Sequence, residues 1–172
     1  LVNEIVELSI GTNPRAIKRL TNNLSLMNIL DNLKNNKEID DTSKYKILLF
    51  YIVCCQVAYP KIYDVFLENP DIENTWNDEL AFELTQKKEE RDENFKNLFE
   101  DIKKQEFGDE IWEQCLYRIC YNDINLRSNF FQVVSFIRIL IENENLDNNL
   151  DYLQIVLKTS SATAVTVKKI VH

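Results

Sequence analysis

The residues best placed for chemistry are Arg15, Lys18 and Arg19, set in the stretch Gly11-Thr12-Asn13-Pro14-Arg15-Ala16-Ile17-Lys18-Arg19-Leu20. Asn13 carries the side chain of an N-cap. Pro14 suits the first helical position, where its missing N–H has no intrahelical partner to lose. The stretch therefore reads as a helix start. Its three cations fall at i, i+3 and i+4, so they share one side of that helix. Positive side chains beside the positive end of a helix are unfavourable unless something anionic lies close. A guanidinium offers a rigid, permanently charged fork for phosphate oxygens. Two chemistries are therefore open here: contact with a phosphate group, or pairing with Asp and Glu elsewhere in an acidic chain.

Most other site chemistry is missing. The only histidine is His172, the last residue, which removes His-based acid–base catalysis and His-containing metal sites. With only Gly11 and Gly108, no glycine-rich phosphate loop, GxGxxG fingerprint or GxSxG elbow can be written. Asp40-Asp41 and Glu142 with Glu144 read as caps and helix-face charges rather than as a catalytic pair. Cys54, Cys55, Cys115 and Cys120 have neither zinc-ligand spacing nor a disulfide framework. They read as small buried hydrophobes, which implies a reduced, cytoplasmic setting. No catalytic residue and no metal ligand is assigned.

The elements that must position the cations are helical. Two glycines and three prolines are too few for the turns of a β-sandwich or barrel. Apolar residues at Leu1, Ile5, Val6 and Leu8 suggest the end of a helix that Gly11 stops. From Pro14 to about Asn35, Ile17, Leu20, Leu24, Met27, Ile29, Leu30 and Leu33 recur at helical spacing. Asp40-Asp41-Thr42-Ser43 supplies caps for a third helix ending near Ala58, apolar nearly all round and so central in the core. Pro60 opens a short helix that Asn69-Pro70 closes. A more polar region follows, with Trp76, Phe82 and the mixed-charge run Lys87 to Glu93, read as a solvated helix face. Asp109 is a cap candidate for a helix through Trp112 and Cys115. Ser128 or Asn129 opens another, and Asp147 to Asn149 precedes the last. The fold predicted is all-α, an irregular multi-helix bundle of about seven to eight helices. One helical domain spans residues 1–158. Residues 159–172, rich in β-branched and small side chains, read as an extended tail or short strand.

The composition is that of a folded chain, with 45% hydrophobic and 28% charged residues. A formal charge of −8 argues against broad attraction to nucleic acid or anionic membrane. The most apolar run, Ile47 to Tyr59, is about 13 residues, too short to span a bilayer. The chain opens within a helical pattern and without an initiator Met, as a piece of a longer protein would.

The stretch from Gly11 to Leu20 resembles the NPR-x-IKR start of the helical lid in bacterial P-loop ATPases of the KAP and AAA+ type. Cys54-Cys55-Gln56-Val57-Ala58-Tyr59-Pro60-Lys61-Ile62-Tyr63 is similar to the Q-x-A-Y-P-x-I-Y segment of such proteins. Leu157-Lys158-Thr159-Ser160-Ser161-Ala162-Thr163-Ala164-Val165 resembles the Ser/Thr-rich segment closing their ATPase region. The resemblance implies a lid domain in which Arg15 is a sensor-2-like phosphate contact and Lys18 and Arg19 are auxiliary cations. It also implies ATP and Mg²⁺ in the intact protein, with the upstream ATPase core as partner. The phosphate loop, the Mg²⁺-binding acid and an arginine finger are not found in this chain. No activity is therefore expected of it alone, and ATP hydrolysis would need the core. The alternative is a helical protein–protein interaction or self-association module with no nucleotide role, using Trp76, Phe82, Trp112 and the charged run.

Overall fold

The computed structural model describes residues 1–34, 42–85, 93–104, 108–143, 146 and 150–170, with side chains for all of these except 29–34, 42 and 163–170. Among the described residues the chain is all-α, with eleven helices and no strand. The expected caps Asp40, Asp41 and Asp147 to Asn149, the charged run up to Asp92, and His172 lie outside those residues. Within the span read as one helical domain, the chain packs as two compact units. Unit 1 is Leu1–Pro70 with Ser135–His172, and unit 2 is Asp71–Val134.

Unit 1 is organised on α3 (Thr42–Ala58), against which α1 (Val2–Leu8), α2 (Pro14–Lys34), α4 (Pro60–Glu68) and α11 (Leu150–Ile170) pack. A helix apolar on every side has to be surrounded, and Tyr51 to Cys55 are all fully buried. Its polar atoms find partners. The Tyr51 hydroxyl donates to the Phe136 carbonyl at 2.8 Å, with the two rings stacked 4.3 Å apart. The Tyr59 hydroxyl donates to the Leu8 carbonyl, tying the end of α3 to the end of α1. Tyr63 on α4 and Ser160 on α11 share a buried hydrogen bond of 2.8 Å.

Unit 2 holds α5 (Ile72–Thr75), α6 (Asp78–Thr85), α7 (Glu93–Lys103), α8 (Ile111–Tyr121) and α9 (Ile124–Ser128). The first residues of α10 (Phe130–Glu142) belong to it, and the unit boundary falls inside that helix. Here α8 is central, packed against α5, α6 and α9. Trp76, Trp112, Cys115, Leu116 and Cys120 form its core.

Two expectations need correction. The helix count rises above seven to eight because residues 72–128 divide into short helices at Asx caps, with Asp71, Asn77 and Asp123 each accepting from backbone N–H groups of the next turn. Helices α5 and α9, of four and five residues, are too short to carry a periodic signal. The other concerns the tail: residues 159–170 continue α11 rather than forming an extended segment. Their β-branched residues cost only tenths of a kcal/mol each in a helix. The hydroxyls are accommodated by the helix itself, with Thr159 donating to the Ile155 carbonyl at 3.0 Å and Ser160 to the Leu157 carbonyl at 2.9 Å. A smaller difference is that the N-cap of α8 is Glu110, not Asp109, and its side chain makes no capping bond.

Candidate functional site

The start of α2 is built by local chemistry. Helix α1 ends in a reversal in which the Gly11 N–H reaches back to the Val6 carbonyl at 2.8 Å. Gly11 has φ +56°, a left-handed conformation that costs other residues about 1–2 kcal/mol. Nothing would block a Cβ there, so conformation alone calls for glycine. Asn13 follows as the cap. Its side-chain oxygen accepts from the N–H of Arg15 at 3.0 Å and of Ala16 at 3.3 Å.

Arg15, Lys18 and Arg19 are all exposed on the first turns of this helix. Among the described residues, no carboxylate lies within ion-pairing distance of any of them. Ile17, between them in sequence, is 45% exposed, so the turn that carries the cations presents an apolar side chain as well. Leu20 and Met27 anchor the opposite side of the helix in the core. Deeper along α2, the Asn23 amide donates to Gln56 of α3 at 3.3 Å, which fixes the helix against the centre of unit 1. The cations therefore project from a helix packed on α3 and α11. The polar cleft elsewhere in unit 1, lined by Glu4, Ser135, Arg138 and Glu142 among others, includes none of them.

With Pro14 lacking an N–H and Asn13 occupying the next two, the backbone at this helix start has little left for an anion. Side chains alone would hold one. A guanidinium is suited to that role, because it binds phosphate oxygens through two parallel N–H donors.

The four thiols are free and fully buried. Burial pushes Cys54 and Cys115 up to about 12 and moves Cys55 and Cys120 in the same direction. None is available as a thiolate nucleophile near neutral pH. No group of His, Cys, Asp or Glu that could hold a metal ion occurs among the described residues. No helix among them is long and apolar enough to cross a membrane.

The aromatic candidates for an interaction surface separate. Trp76 and Trp112 lie in the core of unit 2, at 0% and 5% exposure, and are corrected as surface residues. Phe82 is 49% exposed. A polar stretch of sequence surrounds Trp76, so nothing local announces its burial. Sequence reasoning also missed a cavity of about 270 Å³ in unit 2, between α7, α8, α9 and the start of α10. Its lining comes from four helices, and no single stretch carries the signal. Compared with protein-family models, curated proteins and solved structures, the chain matches none.

Proposed function

We propose that unit 1 is part of a helical lid over a nucleotide, with α2 as the helix facing the phosphates. Arg15 is the sensor-2-like contact to ATP bound by a P-loop core outside this chain, and Lys18 and Arg19 are auxiliary cations. The observation that carries the reading is the exposure of all three on one helix start, with no carboxylate partner among the described residues. A cation with no use in its own fold is a candidate for use outside it. The resemblance of residues 11–20 to a lid start supplies the identity of the anion.

Arg15 would work by position. Asn13 fixes the first turn of α2, and the packing of α2 on α3 and α11 fixes its axis. The guanidinium then enters and leaves the phosphate site as unit 1 moves with the lid. Lys18 and Arg19, one turn on, add positive potential that strengthens where negative charge accumulates. ATP with Mg²⁺ supplies the phosphoanhydride that is cleaved. The loop cradling it and the groups holding the metal are assigned to the core. A bacterial, cytoplasmic ATPase fits four buried thiols kept reduced.

The test is turnover in a protein that contains both the core and this chain. Arg15→Ala should lower kcat about a hundredfold, the scale for losing one donor to developing charge. Arg15→Lys should fall between, since an ammonium keeps the charge but not the fork. Turnover and nucleotide affinity unchanged in Arg15→Ala would falsify the assignment.

A further inference from the structure

The solvent side of α6 is built against that helix's own stability. Residues 71–85 hold five carboxylates, Asp71, Glu73, Asp78, Glu79 and Glu83, and no cation. Two of the five are used inside unit 2. Asp71 accepts from the Asn74 N–H at 3.3 Å and caps α5, and Asp78 accepts from Arg118 of α8. Glu79 and Glu83 are exposed, and among the described residues no cation pairs with either.

Both stand where a helix alone would not favour them. They lie at i and i+4, so two like charges repel along one side of α6. Glu83 also falls in the last turn, beside the negative helix end, and no basic residue there offsets it. The same side carries a ring. Leu80 and Ala81 form the buried side of the helix, whereas Phe82 is 49% exposed. At 3.6 residues per turn, Asp78, Glu79, Phe82 and Glu83 fall within an arc of about 140°.

An exposed aromatic ring flanked by two uncompensated carboxylates is a surface suited to a cation. The ring face attracts positive charge through its quadrupole, and the carboxylates attract it directly. Arginine meets both demands, since its planar guanidinium stacks on a ring and offers parallel N–H donors to a carboxylate. Size limits the occupant. The eight residues of α6 extend about 12 Å, which matches a short segment rather than a standard interface of roughly 800 Å² per partner.

We propose that this side of α6 docks a short basic segment of a partner protein, with an arginine guanidinium over Phe82 and against Glu79 and Glu83. Charge on the helix itself decides among occupants. Nucleic acid and anionic membrane are repelled by it, and so is a second copy presenting the same side. A basic segment is attracted, and it relieves the repulsion between Glu79 and Glu83 as it binds. The inference is independent of any role for α2.

The full chain should be titrated, by fluorescence anisotropy, with a labelled Gly-Ser peptide carrying three arginines. The same peptide with neutral citrulline in their place is the control. The arginine peptide should bind, less tightly as salt rises, and the citrulline peptide should not. Phe82→Leu keeps the apolar bulk without the ring and should weaken binding about fivefold, the scale of an exposed cation–π contact. Glu79→Gln with Glu83→Gln should weaken it about tenfold. Glu100→Gln, an exposed carboxylate of α7, should bind as the parent does, which separates this side of α6 from the general acidity of unit 2. In the chain without peptide, Glu83→Gln should leave the thermal melt unchanged or raise it. Failure of the arginine peptide to bind would overturn the proposal. So would unchanged affinity in Phe82→Leu, an equal loss in Glu100→Gln, or a lowered melt in Glu83→Gln. Binding that emerges only after Lys87→Gln with Lys88→Gln would overturn it too, since the occupant would then be the chain's own basic residues.

Discussion

Asn13 determines how the cations of α2 can be used. By taking the N–H groups of Arg15 and Ala16 it leaves the anion-binding capacity of that helix start to side chains. The triad was legible in sequence because cap, proline and cations sit on one helix, where spacing alone places them. The thiols make the opposite use of their surroundings. Protonated and buried, they stabilise the fold until alkali ionises them in the unfolded chain. There they titrate from their ordinary value of 9.0, whereas Cys54 and Cys115 in the fold hold their protons to about 12, and Cys55 and Cys120 are raised as well. The contribution is therefore complete below pH 9 and is lost as pH rises toward 12. By pH 10 the loss should amount to about 1.4 kcal/mol for each of Cys54 and Cys115. Urea unfolding under reducing conditions at pH 7 and pH 10 measures this. The loss should be smaller in Cys115→Ala than in the parent, and an identical loss in the two would show that the thiols are not its source.

Among the described residues, several element boundaries are set by Asn and Asp, since glycine and proline are scarce. Where a proline or glycine does mark a boundary, as at Pro14, Pro60 and Asn69-Pro70, the sequence shows the helix directly, and α2, α3 and α4 follow. Where the boundary is an Asx cap followed by four or five helical residues, as in α5 and α9, the helix is visible only in its hydrogen bonds. The cavity of unit 2 was hidden for a related reason, since α7 to α10 must first pack before their residues meet. One junction is held by a buried carboxylate. Glu113 on α8 is fully buried and accepts from the Gly108 N–H at 2.7 Å, while Gln114 donates to the Gly108 carbonyl at 3.1 Å. Gly108 itself has φ +85° and lies against the Phe99 ring, where a Cβ would sit at 3.4 Å. Glu113→Ala should strand the Gly108 donor and cost about 2–3 kcal/mol in urea unfolding. Glu113→Gln keeps an acceptor and should cost less. Equal and negligible losses in both would mean that the junction is held by something else.

At the scale of the molecule, the distribution of charge separates the two units more sharply than their helix content does. Unit 1 balances its acidic and basic residues, whereas unit 2 carries the full −8 on a smaller stretch of chain. Like charges confined to a compact body repel one another, and the repulsion weakens as salt shortens its range from about 30 Å at 0.01 M to about 10 Å at 0.1 M. Salt should therefore stabilise unit 2 and leave unit 1 nearly unchanged. Hydrogen exchange resolves the two, because the central helix of each unit supplies its slowest amides. Raising sodium chloride from low to physiological strength should slow exchange in α8 and not in α3. Equal salt effects on α8 and α3 would mean that the units share one electrostatic fate. Unit 2 would then not be a separately charged body.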